Sequence, residues 1–191
     1  IGDDARLDAH GLHVSNCTST ALGGALQVIG VDPVTLVGAR LESNQADFGG
    51  GLSVGAQSSV TATGSWLSGN DATSEGGGAH VQAGGALTLV DSWAASNTST
   101  VGGAVSAPSA TLSVSNTSWT ANTSGQYGGA IACANGTCTV SDSWFANNTA
   151  GWWAGALAPD TNGTAQVART VFCDNSAATG GGAVVGVHLV R

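Results

Sequence analysis

The sequence predicts an all-β fold: a single-stranded parallel β-helix of about seven coils, with about 26 residues in each coil. Two observations predict it. A Gly-Gly-Ala-aliphatic tetrad recurs along the whole chain, beginning at Gly23, Gly49, Gly77, Gly102, Gly128, Ala154 and Gly181. An asparagine precedes each tetrad, at Asn16, Asn44, Asn70, Asn97, Asn122, Asn148 and Asn175. A sustained period in this range is typical of a solenoid, so we expect residues 1–191 to form one solenoid domain.

Each repeat contains about three predicted strands. Ten, nine and eight residues before the asparagine stand an apolar, a polar and an apolar residue, as in Val60, Thr61 and Ala62. This alternation is typical of a half-buried strand. A second apolar column lies three residues before the asparagine, at Leu41, Leu67, Ala94, Trp119, Phe145 and Phe172. A third follows the glycines of the tetrad, at Leu26, Leu52, His80, Val105, Ile131, Leu157 and Val184. The strands are therefore predicted to close a three-sided coil that pairs in parallel with the next coil.

The repeated asparagines are predicted to form a structural ladder inside the corner of each coil. An unpaired buried amide costs about 1–3 kcal/mol, so each side chain must find partners. Stacked amides can bond to one another and to the corner backbone. His80 stands in an inward apolar column, and we interpret it as a core histidine rather than a ligand.

Composition excludes several functional classes. The chain has no Lys, twelve Asp plus Glu and a net charge of −8, so we expect neither nucleic acid nor anionic lipid as a partner. Hydrophobic residues make up 42%, enough for a packed core. No apolar run is long enough for a membrane span, and no His or Cys spacing indicates a metal site. We expect no cofactor and no direct membrane insertion, and we expect the chain to be a piece of a longer protein.

Catalysis is not predicted. The motif Gly-x-Ser-x-Gly at 51–55 matches a hydrolase nucleophile elbow, but that elbow needs a strand-to-helix turn that a β-helix lacks. The acidic residues do not align in one outward column, as a polysaccharide-cleaving site would require. The outward threonines would suit an ice-binding surface, but Thr is also an ordinary residue of exposed strands.

The cysteines indicate an oxidising compartment. Cys133 and Cys138 bracket a turn sequence and are predicted to form a disulfide. Cys17 and Cys173 stand in the first and last repeats, too far apart to pair. We therefore expect an extracellular or cell-surface protein.

The repeats, over essentially the whole chain, resemble those of a known family. The tetrad Gly128–Ile131 follows Trp119-x-x-Asn122, and Phe145–Asn148 and Phe172–Asn175 carry Phe-x-x-Asn. This pattern resembles the repeat of the chlamydial polymorphic outer-membrane proteins, whose signatures are Gly-Gly-Ala-Ile and Phe-x-x-Asn. The resemblance implies a right-handed, pectin-lyase-like β-helix in a surface-exposed adhesin.

Two sets of residues are candidates for surface contacts. Sequons at Asn16, Asn97 and Asn122 fall on the predicted ladder and should be inaccessible. We expect any N-glycan at the remaining sequons, which are Asn116, Asn135, Asn147 and Asn162. A candidate binding face contains a tryptophan column four residues before the ladder, capped by an arginine, and two further tryptophans: Arg40, Trp66, Trp93, Trp144, Trp152 and Trp153.

The sequence favours a non-catalytic structural or adhesive segment of a cell-surface or secreted fibrous protein. Its expected partners are other parts of the same fibre, and glycans or cell-surface proteins. The alternative is a carbohydrate-binding module that uses the tryptophan column, followed by a polysaccharide-degrading enzyme.

Overall fold

The computed structural model describes residues 7–30, 32–159 and 162–185 as an all-β parallel solenoid of about six turns. These residues contain no helix, and every strand pairing between turns is parallel. The prediction of an all-β parallel solenoid is therefore confirmed.

The strands belong to four sheets, numbered here in the order in which each turn visits them. Sheet 1 contains Leu7–His10, Val34–Val37, Ser59–Thr63, Ala86–Val90, Thr111–Ser115, Thr137–Ser141 and Thr164–Ala168. Sheet 2 contains His13–Ser15, Arg40–Glu42, Trp66–Ser68, Trp93–Ala95, Ser118–Thr120, Trp144–Ala146 and Val171–Cys173. Sheet 3 contains Gln45–Phe48, Asp71–Glu75, Thr98–Val101, Thr123–Tyr127, Thr149–Ala150 and Ser176–Ala177. Sheet 4 contains Leu26–Val28, Leu52–Val54, Ala79–Val81, Val105–Ser106, Ile131–Cys133 and Leu157–Pro159.

Sheet 3 corrects the expectation of three strands per coil. Its strands follow the ladder asparagine and carry mostly small and polar residues, as in Asp71–Glu75. Their pairing register shifts along the strand, so no regular alternation of apolar and polar residues marks them in the sequence. The five turns between Val34 and Pro159 therefore have four strands each.

The bend between sheets 1 and 2 is made by one residue per turn in the left-handed backbone region. Its φ lies between 45° and 63° at Gly11, Gly38, Gly64, Asp91, Asn116, Asp142 and Arg169. Gly, Asn and Asp adopt this conformation more readily than other residues, because glycine has no Cβ and a short polar side chain can bond locally. This bend places four polar side chains, those of Asp91, Asn116, Asp142 and Arg169, in one outward column.

The core is filled by the predicted apolar columns. The strand register pairs Leu41 with Leu67 on sheet 2, and continues through the same column to Phe172. Inside this column the rings of Trp119 and Phe145 stack with centroids 5.5 Å apart, and Phe145 stacks on Phe172 at 4.9 Å. Trp119 and Phe145 are completely buried, so this aromatic stack is part of the core.

The third tetrad begins one residue earlier than predicted. Gly76, rather than Gly77, has a left-handed conformation, with φ of 64°, as do the tetrad starts Gly23, Gly49, Gly102, Gly128 and Ala154. Ala79 therefore pairs with Val105 and faces the core, while His80 pairs with Ser106. The assignment of His80 to the inward apolar column was wrong, because three consecutive glycines conceal where the tetrad starts.

The predicted disulfide is also wrong, because Cys133 and Cys138 are free thiols. Both side chains are completely buried. Burial, together with the adjacent Cys138 thiol, raises the pKa of Cys133 well above its ordinary value. The thiolate is the form that reacts in disulfide exchange, so this environment slows the reaction of Cys133. Cys17 and Cys173 are likewise free.

Candidate functional site

The asparagine ladder supports the corner between sheets 2 and 3. Asn97 is typical: its Nδ2 donates to Oδ1 of Asn122 at 3.0 Å and to the carbonyl of Leu67 at 2.8 Å. Its Oδ1 accepts from the backbone N–H and the Nδ2 of Asn70, at 3.0 and 3.1 Å. The same pattern runs from Asn44 to Asn175. Five members are fully buried, namely Asn44, Asn70, Asn97, Asn122 and Asn148.

Asn16 does not belong to this ladder. The residue in the ladder position of that turn is Cys17, whose backbone N–H donates to Oδ1 of Asn44 at 3.0 Å. Asn16 occupies the preceding bend position, with φ of 57°, and is exposed. Cys17 stands six residues before Gly23, the same spacing as Asn122 to Gly128, so the prediction was wrong because it chose the neighbouring asparagine over the residue at the ladder position.

The sequon asparagines separate into exposed and buried sets. Asn97 and Asn122 are buried in the ladder. The four glycosylation candidates are all exposed, at Asn116, Asn135, Asn147 and Asn162. Asn16 joins the exposed set, contrary to its predicted inaccessibility. Glycosylation at the exposed sequons stays a prediction.

The tryptophan column stands on the outer face of sheet 2. The strand register places Arg40, Trp66, Trp93, Ser118 and Trp144 in successive turns. The guanidinium of Arg40 lies 4.5 Å from the Trp66 ring centroid, and the Trp66 and Trp93 rings stack at 4.6 Å with a 9° interplanar angle. Trp93 is 43% and Trp144 45% exposed, so both present ring surface to solvent.

Ser118 interrupts this aromatic stack. It pairs with Trp93 on one side and Trp144 on the other, so two tryptophans flank one position without a ring. Because neighbouring parallel strands lie about 4.8 Å apart, the backbones that carry Trp93 and Trp144 are about 9.6 Å apart. An open cleft of about 230 Å³ occupies this position and is lined by Asp91, Ser92, Trp93, Asn116, Thr117, Ser118, Asp142 and Trp144.

The rim of the cleft is polar. Asn116 donates from Nδ2 to Oδ1 of Asp91 at 2.6 Å. Arg169 donates from Nε and Nη2 to the two carboxylate oxygens of Asp142, at 2.6 and 2.7 Å. The hydrogen bond from Arg169 lowers the pKa of Asp142, so this carboxyl group is ionised and available as an acceptor. Aromatic faces with a hydrogen-bonding edge suit a ligand that has an apolar face and a polar rim.

The floor of the cleft is fixed by a second ladder that the sequence analysis missed. The hydroxyl of Ser92 donates to the carbonyl of Val90 at 2.7 Å and accepts from the backbone N–H of Ser65 at 3.1 Å. Thr117 and Ser143 are linked by the same type of bond at 3.2 Å. Its members lie five residues before the ladder asparagines, so column counting could have found them: Ala39, Ser65, Ser92, Thr117, Ser143 and Thr170. The hydroxyls of Ser65, Ser92, Ser143 and Thr170 each bond to the backbone of their own turn and of the adjacent turn, and the Thr117 hydroxyl bonds to Ser115 of its own turn.

Trp152 and Trp153 do not belong to the column. They follow the sheet 3 strand Thr149–Ala150 and pack against Tyr127, with ring centroids 5.6 and 5.8 Å apart. Their inclusion in one binding face with Trp66, Trp93 and Trp144 is therefore corrected, although both are half-exposed.

A second polar cluster lies on the outward side of sheet 4. Ser106 donates to Oε2 of Glu75 at 2.7 Å, and Nδ1 of His80 lies 3.6 Å from the same oxygen. The His80 ring also contacts Phe48, with centroids 5.3 Å apart. Burial lowers the pKa of His80, and the Glu75 charge partly opposes this shift. Ser53 Oγ is buried without a hydrogen-bond partner and completely shielded from solvent, so the cluster offers no opening to a substrate.

Residues 7–30, 32–159 and 162–185 contain neither a group of metal-ligand side chains nor a membrane-spanning helix. No three His, Cys, Asp or Glu side chains there are grouped so that they could hold a metal ion. The same ranges contain no helix of the length and hydrophobicity needed to cross a membrane.

Comparison with known proteins identified no relative: no family model, no curated protein and no solved structure matches this chain.

Proposed function

We propose that this chain is a non-catalytic, adhesive β-solenoid segment that binds carbohydrate through the tryptophan column of sheet 2. The observation that carries the proposal is the cleft at Ser118, where two exposed indole rings flank one open position with a polar rim. Sugars bind such surfaces because their C–H faces pack on aromatic rings while their hydroxyls bond at the edge. An extracellular location, in a longer fibrous protein, is part of the proposal.

The finer description of the fold belongs to the same proposal. We infer a right-handed coil, because the connection between parallel strands is right-handed in about 98% of known cases. The resemblance of the repeat to the polymorphic outer-membrane proteins supports the same hand. Seven coils follow from the seven tetrads in the sequence.

The non-catalytic part rests on the placement of the acids. Asp91 and Asp142 are the carboxylates at the cleft, and each already bonds to a neighbouring side chain. Asp142 is held ionised by Arg169, so it is a poor general acid at neutral pH. The pair that glycoside hydrolysis needs, one protonated and one ionised carboxyl, is therefore not favoured here.

The test is binding of the purified chain to an array of immobilised glycans. The wild type should bind at least one class of glycan, and Trp93→Ala and Trp144→Ala should each lose that binding. Trp153→Ala is the matched control, because it removes an equally exposed tryptophan outside the column. Absence of any glycan binding, or an equal loss in the control, would overturn the proposal and favour a purely structural segment.

A further inference from the structure

The cleft at Ser118 has the dimensions of a single ring site. On one side of it the column is continuous, since Trp66 and Trp93 stack at 4.6 Å and Arg40 lies 4.5 Å from Trp66. Flat groups one turn apart therefore fill the outer face on that side, while Val171 follows Trp144 on the other side. At Ser118 the side chain ends at a hydroxyl, so the turn between Trp93 and Trp144 lacks its flat group.

We propose that this position holds one neutral pyranose ring, sandwiched between Trp93 and Trp144, and that it rejects acidic sugars. This inference rests on the proposed function and specifies its ligand. The cleft of about 230 Å³ is smaller than the roughly 300–1,000 Å³ of sites for drug-sized ligands, so it admits one ring and leaves the rest of a glycan outside.

The rim of the cleft favours hydroxyl groups. The Asp91 and Asp142 carboxylates accept hydrogen bonds, while the Ser118 hydroxyl both donates and accepts. Hydroxyls of a sugar can match such a mixed rim because they also do both. A guanidinium group from a protein partner only donates, so it would leave the donor of the Ser118 hydroxyl unused.

The charge of the rim disfavours an anion. Asp91 and Asp142 contribute two negative charges against the one positive charge of Arg169, which is committed to Asp142. Arg40, the cation of the column, lies beyond Trp66 and Trp93, on the side away from the cleft. A uronate carboxylate in the site would therefore approach like charges with no free cation to compensate.

Two substitutions of Ser118 test the site by size. Ser118→Ala keeps the position open, and Ser118→Trp fills it with the missing ring. Both remove the Asn116-Thr-Ser sequon equally, so glycosylation does not distinguish them. The Ser118 side chain points outward. Ser118→Tyr serves as a second filled variant. Thermal unfolding of each variant checks that the solenoid is intact.

Binding affinity is measured by titration calorimetry. The chain for this measurement is produced in a host that lacks N-glycosylation. The probes are the neutral oligosaccharide selected by the array, the same sugar oxidised to its C6 uronate, and N-acetylarginine amide. We expect the filled variants to bind the neutral sugar at least about tenfold more weakly than Ser118→Ala, which keeps the position open and loses only one hydroxyl. The uronate should also bind the wild type at least about tenfold more weakly.

Three results would overturn the inference. These are unchanged affinity in the folded Ser118→Trp chain, equal affinity for the uronate, or tighter binding of N-acetylarginine amide than of the sugar. In the first two cases binding that still depends on Trp93 would leave the proposed function standing. If no glycan binds at all, both the function and the ring site fail.

Discussion

Removing one asparagine from the middle of the ladder tests how the solenoid is held together. Asn97→Ala deletes four hydrogen bonds, two donated to Asn122 and Leu67 and two accepted from Asn70. The backbone N–H and one Nδ2 hydrogen of Asn70 then have no partner, and both are buried. At about 1–3 kcal/mol for each unsatisfied group, the loss is about 2–6 kcal/mol.

This loss is large beside the roughly 5–15 kcal/mol by which an ordinary domain is stable. The assay is urea denaturation followed by tryptophan fluorescence. Asn175→Ala is the matched control: it deletes the same types of bond to Asn148 and Phe145, but Asn175 is half-buried, so water can enter the space left by its side chain and bond to the Asn148 groups. We expect its cost to be about 1 kcal/mol. A cost for Asn97→Ala that is no greater than for Asn175→Ala would refute the reasoning.

Three further predictions follow from single positions. Because the pKa of His80 is lowered in the folded chain, the unfolded chain binds a proton at this imidazole more readily. The free energy of unfolding should therefore keep its full value above pH 6.5 and decrease as the pH falls below it. Urea denaturation at pH 7.5 and 5.5 should show this decline, and His80→Gln should reduce it; an equal decline in the variant would contradict the assignment. Gly103→Ala should cost more than about 2 kcal/mol, because its Cβ would lie 2.1 Å from the carbonyl oxygen of Gly129. Gly64→Asn lies at an open left-handed bend where other turns carry Asp or Asn, so it should cost less than about 1 kcal/mol. A lower unfolding temperature for Gly64→Asn than for Gly103→Ala would be inconsistent with the backbone packing. A glycan on Asn116 should block the cleft, so chains from a glycosylating host should bind sugar only when Asn116→Gln removes the sequon; binding by the chain with a mapped Asn116 glycan would argue against the site.

Much of the fold could be predicted because identical positions in successive turns meet. The columns of Leu41, Trp66 and Thr61 are readable by counting from the asparagines, and the pairing register reproduces them. The position of Ser118 between two tryptophans was visible in the same column. That the gap is an open cleft depends on how the Trp93 and Trp144 side chains turn, and a count does not contain that information.

The errors arose where a turn departs from the repeated residue or where a strand lacks a pattern. Asn16 was chosen because the ladder position beside it is a cysteine, Cys17, and His80 was displaced by one residue because glycine runs look the same in any register. Sheet 3 was missed because its strands, such as Gln45–Phe48, carry small and polar residues on both faces. Cys133 and Cys138 were correctly placed as neighbours, but proximity alone does not decide whether thiols bridge.

The most direct test of the central claim is a crystal structure of the chain with the neutral oligosaccharide selected by the array. We predict electron density for one pyranose ring between Trp93 and Trp144, with its hydroxyls toward Asp91, Asn116 and Asp142. Sugar density on Trp152 and Trp153 instead, with the position beside Ser118 filled only by water, would contradict the account.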